Sequence, residues 1–198
     1  PALTVTYASQ LPSVIIGSSI LNSFNYNAVE CLVIVAHTKI RCKSVPGVGY
    51  GHSYRVMYQD VSSSWSANLT NYSKPYILDV SGPGAFQAVS TGGQEVYFDG
   101  NYFGPAAASS NLYITASYGK YPDAWIESNS NYPPYFAECR VIVNNVRLLC
   151  LTSPGTGKNH SWKISIGGQS IRNTFFHAGT SYGPPIIYEI LHEDGQPF

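Results

Sequence analysis

Residues 30–59 and 138–167 are two copies of one stretch. At an offset of 108, 11 of the 30 positions are identical: Glu30/Glu138, Cys31/Cys139, Val33/Val141, Ile34/Ile142, Val35/Val143, Cys42/Cys150, Pro46/Pro154, Gly47/Gly155, Gly49/Gly157, His52/His160 and Ser53/Ser161. These are half-cystines, turn formers and alternating apolar residues, so what is repeated is architecture rather than a reaction centre. A unit of roughly 100 residues is large enough to bury its own core, and the 198-residue chain has room for two. The repeat predicts a first domain over residues 1–74, a second over 75–181 and a further segment over 182–198.

Within each copy the pattern is that of strands. Thr38, Ile40 and Cys42 alternate with Lys39, Arg41 and Lys43, the period of a half-buried strand. After the turn at Pro46, Tyr54, Val56 and Tyr58 alternate in the same way. In the second domain Val96 and Phe98 are expected to face inward, with Glu95, Tyr97 and Asp99 outward, and Trp162, Ile164 and Ile166 form another inner face. No stretch carries a convincing amphipathic helical period. Short, regularly spaced strands between Gly/Pro turns predict an all-β chain of antiparallel sandwiches.

The four cysteines close two Cys-x10-Cys loops at equivalent places. Four cysteines allow three connectivities, and the repeat favours Cys31–Cys42 with Cys139–Cys150. Free buried thiols are the alternative, while a zinc site lacks a ligand set. Closing so short a loop removes roughly 3 kcal/mol of unfolded-state entropy. Sequons at Asn68, Asn71 and Asn159 agree with an oxidising compartment. N-linked glycans and an extracellular location, secreted or at the cell surface, are therefore expected, and no other cofactor is. Charged residues make up 11% of the chain against a typical ~25%, with 11 Lys+Arg and 11 Asp+Glu. A surface so neutral has no electrostatic footprint for nucleic acid or anionic membrane, and no apolar run approaches the ~18 residues of a membrane span.

Several tempting sites weaken on inspection. Residues 153–160, "SPGTGKNH", lack the Gly-x4-Gly-Lys-Ser/Thr spacing of a phosphate loop, and their counterpart has no lysine. His52 and His160 recur at one repeat position, which favours a structural role. Ser53 and Ser161 follow them on a strand and so point to opposite faces. His192, Glu193 and Asp194 read as a solvated end rather than a metal site, and nothing places Asp99 with Asp123 and Glu127 for glycoside hydrolysis. The chain is expected not to be an enzyme. The Tyr/Pro/Asn-rich loop near residues 120–136 offers Tyr121, Trp125, Tyr132 and Tyr135 as partner contacts, for sugar or for protein.

Pro75-Tyr76-Ile77, Gly92-Gly93-Gln94-Glu95-Val96 running to Gly100-Asn101-Tyr102-Phe103-Gly104, Cys139, Cys150 and Pro154-Gly155-Thr156-Gly157 together form a recognisable pattern. It resembles the Ig-like, plexin, transcription-factor (IPT or TIG) domain family, along the whole second domain and along the first from its Cys strand onward. The resemblance implies two tandem Ig-like sandwiches of extracellular type, the first lacking its opening strands.

The first domain is about 33 residues shorter than the second. Near the other end, Tyr182-Gly-Pro-Pro185-Ile186-Ile187 repeats Tyr72-Ser-Lys-Pro75-Tyr76-Ile77 at an offset of 110. The segment with Pro185, Ile186, Ile187, Tyr188, Ile190 and Leu191 is thus expected to be an extension strand, opening a further domain or docking on a neighbour. Two functions follow as expectations. One is a non-catalytic structural module, a repeating unit of a glycosylated head-to-tail array or fibre whose partners are copies of itself or flanking repeats. The other is a ligand-binding ectodomain fragment of a receptor or adhesin that recognises protein or carbohydrate.

Overall fold

A computed structural model describes residues 3–9, 14–16, 19–21, 25–107, 110, 113–120, 135–172 and 179–190. The described chain is all-β, built from several antiparallel sheets. Strands before Lys74 pair among themselves, and so do those after it.

In the second domain, β9 (Tyr76–Ser81), β10 (Glu95–Asn101), β11 (Ile114–Gly119), β12 (Tyr135–Val143), β13 (Arg147–Leu151), β14 (Ser161–Ile166) and β15 (Gln169–Arg172) run in the order β15-β14-β11-β12-β13-β10-β9. The long strand β12 serves two neighbours. Its first residues pair with β11 (Tyr118↔Tyr135) and its later ones with β13 (Cys139↔Cys150). The sheet therefore folds over on itself into two layers, with β9, β10 and β13 facing β11, β14 and β15. Between them lie Val96, Phe98, Val141 and Leu148 on one side and Ala116, Trp162, Ile164 and Ile166 on the other. Phe98 meets Trp162 edge to face, centroids 4.9 Å apart, and Tyr118 stacks on the same indole at 4.3 Å. Glycine is required at residue 100, where a Cβ would stand 2.1 Å from the Tyr76 carbonyl oxygen across the sheet.

The first domain repeats part of this plan. β1 (Leu3–Ser9) pairs with β4 (Asn25–Asn27) and with β7 (His52–Tyr58), which pairs with β8 (Val61–Ser62). β2 (Val14–Ile16) and β3 (Ser19–Leu21) form a separate hairpin, as do β5 (Val29–Val35) and β6 (Lys39–Lys43). β4 and β5 together stand where β12 stands, divided at Ala28, and the pairing of β5 with β6 shifts register between Val29 and Leu32, around Glu30, whose φ is +51°. The hairpin tips match as well: His37 and its counterpart Asn145 both take left-handed backbone, at φ +62° and +64°. Both expected disulfides are formed, each with Cα atoms 4.1 Å apart.

One expectation changes. The alternation at Thr38–Lys43 predicts a half-buried strand, yet β6 is exposed over most of its length. Its counterpart β13 is covered by β10, and among the described residues no strand pairs with that edge of β6.

Candidate functional site: a repeated tyrosine–histidine end and an uncovered hairpin

Each domain closes at one end on a buried histidine ringed by three tyrosines. In the first domain His52 lies 5.9, 5.7 and 5.3 Å, centroid to centroid, from Tyr7, Tyr26 and Tyr72. In the second, His160 lies 5.8, 5.6 and 5.6 Å from Tyr118, Tyr135 and Tyr182. The strands place them: Tyr7 on β1 is paired with Tyr26 on β4, as Tyr118 on β11 is with Tyr135 on β12.

The hydroxyls are wired alike. Tyr7 and Tyr72 share a 2.7 Å hydrogen bond, and the Tyr72 hydroxyl donates to the Val45 carbonyl at 2.5 Å. Tyr118 and Tyr182 share one of 2.5 Å, and Tyr182 donates to the Ser153 carbonyl at 2.5 Å. The Val45 and Ser153 amides in turn donate to Tyr7 and Tyr118. A third tyrosine fixes the Pro-Gly-x-Gly turn: Tyr26 accepts from the amide of Val48 and donates to its carbonyl, and Tyr135 does the same for Thr156. Burial raises the pKa of Tyr26, Tyr72, Tyr118 and Tyr182, so these phenols stay protonated and available as donors. Burial likewise lowers the pKa of both histidines, keeping the imidazoles neutral near pH 7. Each ring bonds a backbone carbonyl through one nitrogen, His52 to Thr70 and His160 to Thr156. The other nitrogen, Nε2 of His52 and Nδ1 of His160, has no partner among the described residues.

No protein-family model, curated protein or solved structure matches the chain.

The first ring leads directly into the joint between domains. Val48, held by Tyr26, is only 3% exposed and belongs to the core of the second domain. A Cβ at Gly104 would stand 2.4 Å from its side chain, and one at Gly167 would stand 2.7 Å from the Gly49 amide nitrogen. The Gln169 side-chain amide donates to the Tyr72 carbonyl across the same joint. Sequence reasoning found the histidines but missed the rings, because unequal loops shift the offset. Tyr7/Tyr118, Tyr26/Tyr135 and Tyr72/Tyr182 are separated by 111, 109 and 110 residues, not 108.

The second feature is the β5–β6 hairpin. Val33 is 58% exposed where Val141 is 3%, and Ile40 is 39% exposed where Leu148 is 0%. Leu32, Ile34 and Val35 are exposed beside them. Its surface ion pair, Lys43 with Glu30, is exposed on both sides and contributes little.

The remaining candidates are dispersed. Asn68, Asn71 and Asn159 are all exposed. The Asn71 Oδ1 accepts from the Gly51 amide, and the Ser181 hydroxyl accepts from the Asn159 amide. Pro185, Ile186, Ile187, Tyr188 and Ile190 are exposed, Tyr188 by 90%, and take no strand partner among the described residues. Leu191, Tyr121, Trp125, Tyr132, Asp123, Glu127, His192, Glu193 and Asp194 lie outside the described residues. Tyr135 belongs to the second ring. Asp99 is held by Arg147 through two hydrogen bonds, of 2.6 and 2.9 Å. Among the described residues no three His, Cys, Asp or Glu side chains gather into a group, and no helix is long and apolar enough to cross a membrane. The two disulfides point to an oxidising environment.

Proposed function

We propose that this chain is a non-catalytic extracellular structural module whose units join head to tail into a glycosylated array or fibre. The observation that carries the reading is the hairpin comparison. Positions that are core in the second domain, Val141 and Leu148, are uncovered in the first as Val33 and Ile40. Burying one such side chain from full exposure contributes roughly 1.5–3 kcal/mol, so covering these two half-exposed residues together yields a gain of about that size. A sheet edge without a neighbour is also an acceptor for a strand from another chain.

The donor in this reading is the apolar stretch Pro185–Ile190 of the adjacent unit, exposed in its own. Its sequence counterpart opens β9, and in the second domain β10 stands between β9 and β13. A donated segment therefore either takes the β10 place directly against β6 or arrives with a further strand between. Both geometries cover Val33 and Ile40. Contacts that pass from one end of a unit to the opposite end of the next give open filaments when the rotation does not close. Exposed Asn68, Asn71 and Asn159 would carry the N-linked glycans, and the motif residues around Gly92–Gly104 and Pro154–Gly157 support kinship with the IPT domains.

Deleting residues 183–198 tests the reading. Electron micrographs and sedimentation should then show single units where the whole chain forms polymers. Polymers that survive the deletion contradict the strand-donation mechanism.

A further inference from the structure

The joint inside the chain has two halves, a turn and a seat; the turn recurs uncovered in the second domain, and the Gly167–Gly168 part of the seat, though not its Gly104 part, recurs uncovered in the first. The turn is Pro46–Tyr50, whose Val48 is held by Tyr26 and buried in the second domain. Its counterpart Pro154–Lys158 is held the same way by Tyr135, but Thr156 is exposed. The seat is the β14–β15 turn at Gly167–Gly168, next to Ile166, which is fully buried. Its counterpart in the first domain is the β7–β8 turn at Gln59–Asp60, with Tyr58 47% and Val61 73% exposed. The backbones of the two seats agree: Gln59 and Asp60 have φ +48° and +64°, Gly167 and Gly168 +56° and +80°.

We propose that the Pro154–Lys158 turn of one copy docks on the β7–β8 turn of a second copy, Thr156 over Tyr58 and Lys158 facing Asp60. The inference deepens the head-to-tail reading and rests on it, adding a second contact independent of the donated strand. The substitutions agree with the charge. Where the internal joint brings Gly49 against Gly167, its flanking positions carry Tyr50 and Gly168; at the joint between copies those positions carry Lys158 and Asp60, of opposite sign. The contact between copies is also wider than the internal one. A Cβ at Gly167 would stand 2.7 Å from the Gly49 nitrogen, so the Gln59 side chain prevents the same backbone approach, and a lysine–aspartate pair spans the added gap. The joint thus follows the pattern of an interface already present in the molecule, and its occupant is a second copy of this chain.

Engineered thiols give the test, since all four native cysteines are paired. Val48 Cγ2 lies 3.0 Å from where a Cβ at Gly167 would stand, and replacing Gln59 by cysteine removes the side chain that holds the two backbones apart, which brings the equivalent pair between copies close to disulfide reach. The double variant Gln59→Cys/Thr156→Cys, oxidised at assembling concentration, should give a ladder of disulfide-linked multimers on a non-reducing gel. Each single variant should give at most dimers. In parallel, Lys158→Glu and Asp60→Lys should each weaken association by roughly two- to five-fold, the range of an exposed pair, and the double swap should restore it. If polymers form yet no ladder appears and the swaps leave association unchanged, the joint is wrong while strand donation survives. If the unaltered chain stays monomeric at every concentration, the head-to-tail reading falls and the joint with it.

Discussion

The hairpins β5–β6 and β12–β13 have the same disulfide, the same left-handed tip residue and much of the same sequence, yet one lies in a core and the other on a surface. The difference does not lie in the hairpins. β13 has β10 beside it and β11 and β14 facing it, whereas among the described residues β6 has no partner on the edge away from β5 and no facing layer. Similar local sequence therefore gives similar local geometry, while burial is decided by strands elsewhere.

Asymmetric substitutions can break this comparison. The largest expected effect is from Val141→Asp, which places a charge in the second core and should cost more than about 3 kcal/mol, enough to prevent folding of that domain. Val33→Asp at the matching position should leave the melting temperature of unassembled chains within a few degrees while stopping assembly. Next come the cavity variants: Leu148→Ala should cost about 2–5 kcal/mol in denaturant titrations, whereas Ile40→Ala should cost under about 1 kcal/mol until the hairpin is covered. Equal losses at matching positions would mean the first hairpin is already in a core.

The rings should behave alike where the hairpins differ. Tyr72→Phe and Tyr182→Phe each remove a hydroxyl that bonds a tyrosine and a carbonyl, and each should cost about 1 kcal/mol. Unequal losses would show that one ring carries more of its domain than the other. The histidines predict the sign of a pH effect. Burial holds both folded-state pKa values below the ordinary 6.5, so the unfolded chain takes up protons first. Stability should be fully present above about pH 6.5, fall as pH drops from there through the folded pKa values, and then level off. Thermal melts from pH 8 to 5 check this, and a flat profile would show that both rings open to water.

Much of the fold is legible in sequence because its signals are local. The repeat of the half-cystines favours the two disulfides that are formed, and alternation placed Val96, Phe98, Trp162, Ile164 and Ile166 inward, where all are buried. What escaped depends on distance. Ile40 alternates as a half-buried residue does, and nothing local reports that the covering strand is missing. Tyr7, Tyr26 and Tyr72 lie on three separate segments, and only folding brings them around His52. Val48 looks like any turn residue, and its burial depends on Gly104 and Gly167 more than fifty residues away. The site is thus a product of topology acting on a local pattern that the sequence carries openly.

Hydrogen exchange on β6 tests the central claim most directly. The β6 amides within Ile40–Lys43 that point away from β5 should exchange quickly in dilute, unassembled chains and slow at least tenfold on assembly, with no such slowing in chains lacking residues 183–198. Assemblies in which those amides exchange as fast as in the free chain would contradict it.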